Sequence, residues 1–184
     1  MIISGNKDFG LAGALYKIYP DAKYCSTATG FDLGSRNDQE RFAFLCLEHD
    51  IIINCAALFK FHQTNLLEMV WKTCADNEHY PHIINIGSTT DRVKKGTSWR
   101  YNAEKKALRD YSNSLGLLGV WDKNPKVTYV SLGTMDNNAH KFEDRKTLYL
   151  DEAANYIKWI IDQPKQISIN EISIDPMQND RWYL

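Results

Sequence analysis

Tyr101 and Lys105 stand four residues apart in the run Tyr101-Asn102-Ala103-Glu104-Lys105, within a stretch of helical spacing. On a helix that separation sets the phenol and the ammonium one above the other. A lysine charge so placed stabilises phenolate and draws the tyrosine pKa down from its ordinary value of about 10. Such a phenol can give or take a proton at working pH. Ser88 ends the apolar run before this stretch, 13 residues ahead of Tyr101. The amino end suggests a different chemistry, because Ser4-Gly5-Asn6-Lys7-Asp8-Phe9-Gly10-Leu11-Ala12-Gly13 is a glycine-containing turn that opens into a helix. Glycines let backbone approach a pyrophosphate, and the free amides and dipole of a helix start favour its charge. Lys7 would add a cation there, although a loop lysine is usually just solvated.

These residues need elements to hold them. Four apolar runs, 1–4, 51–55, 82–87 and 127–132, are continuous rather than alternating, as suits strands covered on both faces of a parallel sheet. Weaker strands are expected at 23–26 and 171–174. Helical spacing marks 10–19, 37–49, 63–77, 98–117 and 151–162, the last opening with acidic residues that suit its positive end. Strand and helix alternate throughout, which predicts a doubly wound, Rossmann-like α/β sheet with right-handed crossovers. Ligands of such sheets bind beyond the carboxyl ends of the strands, so the chemistry is expected in 5–13, 54–57, 88–91 and 133–137.

The chain has 184 residues, 43% of them apolar and 24% charged, the size and composition of one ordinary globular domain spanning 1–184. With 22 basic and 23 acidic side chains it shows no electrostatic footprint for nucleic acid or an anionic membrane. No run approaches the ~20 apolar residues of a membrane-spanning helix, and 1–4 lacks the charged start and length of a secretory signal. The four cysteines, at 25, 46, 55 and 74, form no metal-ligand pattern. They read as reduced, mostly buried thiols of a cytoplasmic protein, and no metal is expected.

The set of Ser88, Tyr101 and Lys105 resembles the short-chain dehydrogenase/reductase family, whose serine and Tyr-x-x-x-Lys are commonly separated in this way. Asn54-Cys55-Ala56-Ala57 is similar to the family's Asn-Asn-Ala-Gly turn, with Cys55 and Ala57 as departures. Asn65, 23 residues before Ser88, resembles the asparagine that completes the family's tetrad. Asp32-Leu33 is similar to the pair beside the adenine ring, and Leu132-Gly133 to the Pro-Gly beside the nicotinamide. The likeness spans about 1–176. Two departures concern the cofactor: Ala12 stands where the phosphate loop usually has its last glycine, and only 49 residues separate Gly5 from Asn54. A strand and a helix of the adenine-binding half are therefore expected to be missing or much reduced.

The resemblance implies an NAD(P)-dependent oxidoreductase acting on a carbonyl or alcohol. Tyr101 would pass a proton to the carbonyl oxygen, Ser88 would hydrogen-bond that oxygen, Lys105 would lower the tyrosine pKa and bind the ribose, and Asn65 would hold a water that links Lys105 to solvent. The plainer alternative has Ser88 capping a strand, Asn65 on an exposed face and Tyr101 in the core. Gly5, Lys7, Gly10, Leu11, Ser26, Thr27, Asp32, Leu33, Asn54, Ala56, Ala57, Leu132 and Gly133 would line the cofactor site. NADP is preferred to NAD, since the second strand ends in Cys25-Ser26-Thr27-Ala28 with no carboxylate to repel an extra phosphate. Arg92, Lys94, Lys95 and Arg100 suggest a polar or anionic substrate, or else a solvated basic loop. Trp71, Trp99, Trp121 and Trp159 read as core or interface residues. A homodimer or homotetramer is implied. The competing reading is a cofactor-sensing or scaffold protein that kept the fold and lost turnover.

Overall fold

The four continuous apolar runs become the four inner strands of one parallel sheet, and the two weaker runs become its edges. A computed structural model of the chain describes residues 1–92, 96–141 and 144–178. The strands are β1 (Ile2–Ser4), β2 (Lys23–Cys25), β3 (Ile51–Asn54), β4 (His82–Ile86), β5 (Lys126–Leu132) and β6 (Glu171–Ile174), and they lie in the order β2-β1-β3-β4-β5-β6. Every neighbouring pair is parallel. The predicted doubly wound sheet is what the structure contains.

Paired isoleucines explain why the inner strands need cover on both sides. Successive side chains of a strand point to opposite faces, so Ile2, Ile52 and Ile83 meet one layer of helices while Ile3, Ile53 and Ile84 meet the other. Helices α1 (Gly10–Ile18) and α5 (Leu150–Ile161) cover the second face, with Leu15, Ala153 and Ile157 fully buried. The first face is covered by α2 (Arg36–Cys46), α3 (His62–Asp76) and α4 (Arg100–Trp121), through Phe42, Leu66, Leu67 and Leu108.

The chain passes from β2 through a short 3₁₀ helix, Thr27–Thr29, and α2 directly to β3 on the far side of β1. The amino-terminal half thus has one strand beyond β1, and β2 is the sheet edge. This is the reduction expected from the short spacing between Gly5 and Asn54. Strand order reverses around β1 and β3, which opens a crevice at their carboxyl ends.

One packing detail ties the sheet to that crevice. Tyr129, fully buried on β5, lays its ring against the backbone of Gly87, so that a Cβ at position 87 would lie 2.0 Å from the ring. Gly87→Ala is expected to destabilise the fold by about 1–3 kcal/mol, the usual cost of overpacking, seen as a lower urea midpoint at unchanged slope. Gly96→Ala is the control, since nothing lies within 4 Å of an added methyl there.

Candidate active site

Tyr101 enters the crevice from the first turn of α4, and Lys105 follows one turn later. The lysine ammonium lies 5.4 Å from the tyrosine ring centroid, so the two share a face as their spacing predicted. Lys105 is 4% exposed. Its Nζ donates to Gln63 Oε1 at 2.6 Å and to the Ile86 carbonyl at 3.2 Å. Gln63 is itself held fast, because its Nε2 donates to the carbonyls of Asn54 and Ile86. One side chain thereby joins the ends of β3 and β4 to α4.

The electrostatics differ from the expectation that Lys105 draws the Tyr101 pKa down. Burial pushes the Tyr101 phenol up, Ser88 pulls it partly back, and the carboxylates of Glu104 and Asp91 push it up again. The ammonium faces the tyrosine ring, and burial lowers its own pKa to about 8 against opposing contributions from Cys55, Glu104 and Asp91. At neutral pH the site therefore presents a protonated phenol beside a protonated but readily neutralised lysine.

A cleft of about 540 Å³ runs from this pair to the first glycine turn. Gly5 and Gly10 have φ of 143° and 58°, values that side chains resist. A Cβ on Gly5 would also come within 2.8 Å of the Ala12 Cβ. Phe9, the N-cap of α1, makes no side-chain cap, so the first helical amides keep their donors for an anion. Ser26 and Thr27 follow β2 into the cleft, and Phe31, Asp32 and Leu33, between the 3₁₀ helix and α2, line it as well. Ala56, Ala57, Met135, Asn137 and Lys141 complete the walls. This donor set, with an uncapped helix start at one end and a buried lysine at the other, fits a dinucleotide.

No protein-family model matches the chain. An uncharacterized oxidoreductase of Staphylococcus aureus strain USA300 is 31% identical over 103 residues, which covers 52% of this chain and 42% of that protein. One from Staphylococcus epidermidis strain ATCC 12228 is 30% identical, with coverage of 52% and 43%. The chain thus matches under half the length of these curated relatives. Among solved structures, a short-chain dehydrogenase from Burkholderia cenocepacia in complex with NADP superposes with a TM-score of 0.74 at 15% identity, over 96% of this chain and 88% of that one. Serine dehydrogenase from Escherichia coli gives 0.70 at 16%, over 94% and 96%. A 4-hydroxyisoleucine dehydrogenase mutant complexed with NADH and succinate gives 0.74 at 18%, over 97% and 98%. The chain has the short-chain dehydrogenase fold.

Within that fold several residues stand elsewhere than the resemblance implied. Asn65 is on an exposed face of α3. Gln63, two residues earlier and therefore turned toward the sheet, meets Lys105 instead. Its signal in the sequence was a buried polar position in the first turn of an apolar helix face. Lys7 is turned from the cleft, its Nζ lying 5.1 Å from the Tyr16 ring centroid in a depression between α1 and α5. Asn54 is a buried brace that binds Ser4, Gln63 and Asn85 and does not line the cleft. Leu132 is in the core, and Gly133 packs against Asp175 and Pro176. Met135, Asn137 and Lys141 line the cleft in that region.

The basic loop changes its meaning too. Arg92 is paired with Asp175, and Arg100 with Glu104 at 2.9 Å; Lys94 and Lys95 lie outside the described residues. What surrounds Tyr101 is aromatic. Trp99 and Phe59, 58% and 61% exposed, place their ring centroids 4.9 and 5.8 Å from that of Tyr101. Trp99 is therefore at the mouth of the site rather than in the core.

Burial of Lys105 has a pH signature. Its folded pKa of about 8 lies below the ordinary 10.5, so between these values the unfolded chain binds more protons and stability rises with pH. That contribution is complete above the ordinary value and is lost as pH falls through about 8. Denaturant unfolding from pH 7 to 10 is expected to show this rise relative to Lys105→Met, in which it is absent.

Proposed function

We propose that the chain is a nicotinamide-dependent oxidoreductase acting on a carbonyl or alcohol, with residues 1–184 working as one cofactor-binding unit. The observation that carries this reading is the Tyr101–Lys105 pair, locked by Gln63 and opening into the same cleft as the uncapped start of α1. The oxidoreductase names of the curated relatives and the nucleotide complexes of the structural neighbours support it.

When bound, the nicotinamide would supply or accept hydride. The residues of this chain would do the rest. Tyr101, protonated at neutral pH, would give its proton to the carbonyl oxygen. Ser88 would donate a hydrogen bond to that oxygen and stabilise the charge developing on it. Lys105, fixed by Gln63, would bind the ribose hydroxyls and restore the tyrosine proton. Ser26 and Thr27 would meet the adenosine ribose, and the missing carboxylate at the end of β2 favours NADP over NAD. The exposed rings of Trp99 and Phe59 favour a substrate with a flat, apolar group beside its carbonyl over the anionic one that the basic loop suggested.

The test is a titration with NADPH and, separately, NADH, followed by nucleotide fluorescence and by the thermal midpoint, which a bound ligand raises by mass action. Saturable binding is expected, tighter for NADPH. Tyr101→Phe is expected to keep that binding and lose about 10²–10⁴-fold in turnover, the range of general acid catalysis. Failure of both nucleotides to bind at millimolar concentration would favour the scaffold reading, which the shortened adenine half supports. For substrate recognition, Trp99→Ala is expected to raise KM for an aryl aldehyde roughly two- to tenfold, the equivalent of an aromatic contact of about 0.5–1.5 kcal/mol, with little change for a short aliphatic aldehyde.

A further inference from the structure

We propose that Asp91, buried beneath the Ser88 turn and bound to Tyr129, is a positioning residue for the proton-transfer pair: it holds that turn against β5 and brings a carboxylate within electrostatic reach of Tyr101 and Lys105. The inference rests on the reading of Tyr101 as the proton donor.

Asp91 lies in a 3₁₀ helix, Thr89–Arg92, that continues from Ser88. Its side chain has no solvent exposure. Oδ2 accepts the Tyr129 hydroxyl at 2.7 Å and the Ser131 hydroxyl at 3.0 Å. The Ser88 amide donates to the same Tyr129 oxygen at 3.4 Å, and the Asp91 amide donates to the Ser88 carbonyl at 3.0 Å. A closed circuit results, in which both backbone groups of Ser88 are tied to Asp91, one directly and one through Tyr129. Tyr129 can reach this place only because residue 87 has no side chain.

A neutral side chain would complete the same circuit, yet the residue is a carboxylate, and its second oxygen is poorly compensated. Among the described residues, Asp91 Oδ1 is buried without a hydrogen-bond partner. The Arg92 Nε is 3.8 Å away, on a guanidinium that also binds Asp175. Burial of an incompletely paired charge is costly.

The titratable groups that interact with it are Arg92 on its own element, Tyr129 on β5, and Tyr101, Lys105 and Arg109 on α4, with Asp175 after β6 sharing Arg92. Asp91 raises the pKa of Tyr101, of Lys105 and of Arg109. One carboxylate thus favours the protonated form of both members of the pair, keeping the phenol a donor and opposing the loss of the lysine charge to burial.

The test is the ultraviolet titration of Tyr101, read as the difference at phenolate wavelengths between a protein and the same protein carrying Tyr101→Phe. It needs neither cofactor nor substrate. Asp91→Asn keeps an oxygen for Tyr129 and Ser131 and removes the charge. It is expected to move the Tyr101 titration down, since one of the charges that hold the phenol up is removed, and to move the alkaline limb of the reductive rate profile with it. A purely structural role would alter thermal stability and leave the titration where it was, and that result overturns the proposal. Should Asp91→Asn fail to fold, Tyr129→Phe carries the test. It keeps the charge but cuts the tether to the Ser88 amide, so kcat is expected to fall about tenfold with cofactor affinity unchanged; a wild-type kcat overturns the proposal. A wild-type protein that binds no nicotinamide nucleotide would overturn the oxidoreductase reading and leave the titration outcome to decide the role of Asp91.

Discussion

Lys105 carries a charge into a place where water is scarce, and the arrangement around it follows from what that charge requires. A buried ammonium needs acceptors of fixed direction. It finds them in Gln63 Oε1 and the Ile86 carbonyl. For Gln63 to present its oxygen, its nitrogen must be occupied, and the carbonyls ending β3 and β4 take both of its hydrogens. Those carbonyls are free at that point because the strands end there, at the crevice where the sheet changes direction. The lysine, the amide and the strand ends are therefore one constraint. A shift in any of them would move Tyr101, whose ring lies against the ammonium.

The fold was legible in the sequence for a simple reason. Adjacent isoleucines in short apolar runs, Ile2-Ile3, Ile52-Ile53 and Ile83-Ile84, suit a strand buried on both faces, and these three pairs marked inner strands. The weaker runs at 23–26 and 171–174 proved to be the edges, where one side of the backbone has no neighbouring strand and the apolar demand falls. The chain length between Gly5 and Asn54 announced the absent strand, since a strand and a return helix cannot fit into so few residues beside those already present.

The site was less legible, and its failures share a cause. Residue type and spacing fix which helix a group belongs to but leave its rotation about the axis uncertain by a residue or two. Asn65 and Gln63 differ by about half a helical turn, so the asparagine faces out and the glutamine faces in. Lys7 was assigned to the cleft because it lies in the phosphate turn, yet its ammonium lies over the Tyr16 ring in the depression between α1 and α5. The direction of the Tyr101 shift depends on burial and on Asp91 and Glu104, contributions that no local spacing reveals. Asp91 meets Tyr129 across 38 positions of sequence, and only the pairing of β4 with β5 brings them together.

Loss of an outer strand leaves β2 with an open side, and an open strand is a template on which other chains can add. Here that template is closed by the turn which replaces the lost element. The Lys23 amide donates to the Met1 carbonyl before β1 and the Cys25 carbonyl accepts from the Gly5 amide after it, so the carbonyl of Tyr24 between them faces outward. The Thr29 hydroxyl donates to that carbonyl at 3.1 Å and accepts from the Ser26 amide at 2.9 Å. The strand is only three residues long and begins at an exposed lysine. A short hydroxyl-bearing turn thus serves as an end stop for the sheet, and it allows the chain to be shortened on that side without inviting the stacking of strands from one molecule to the next.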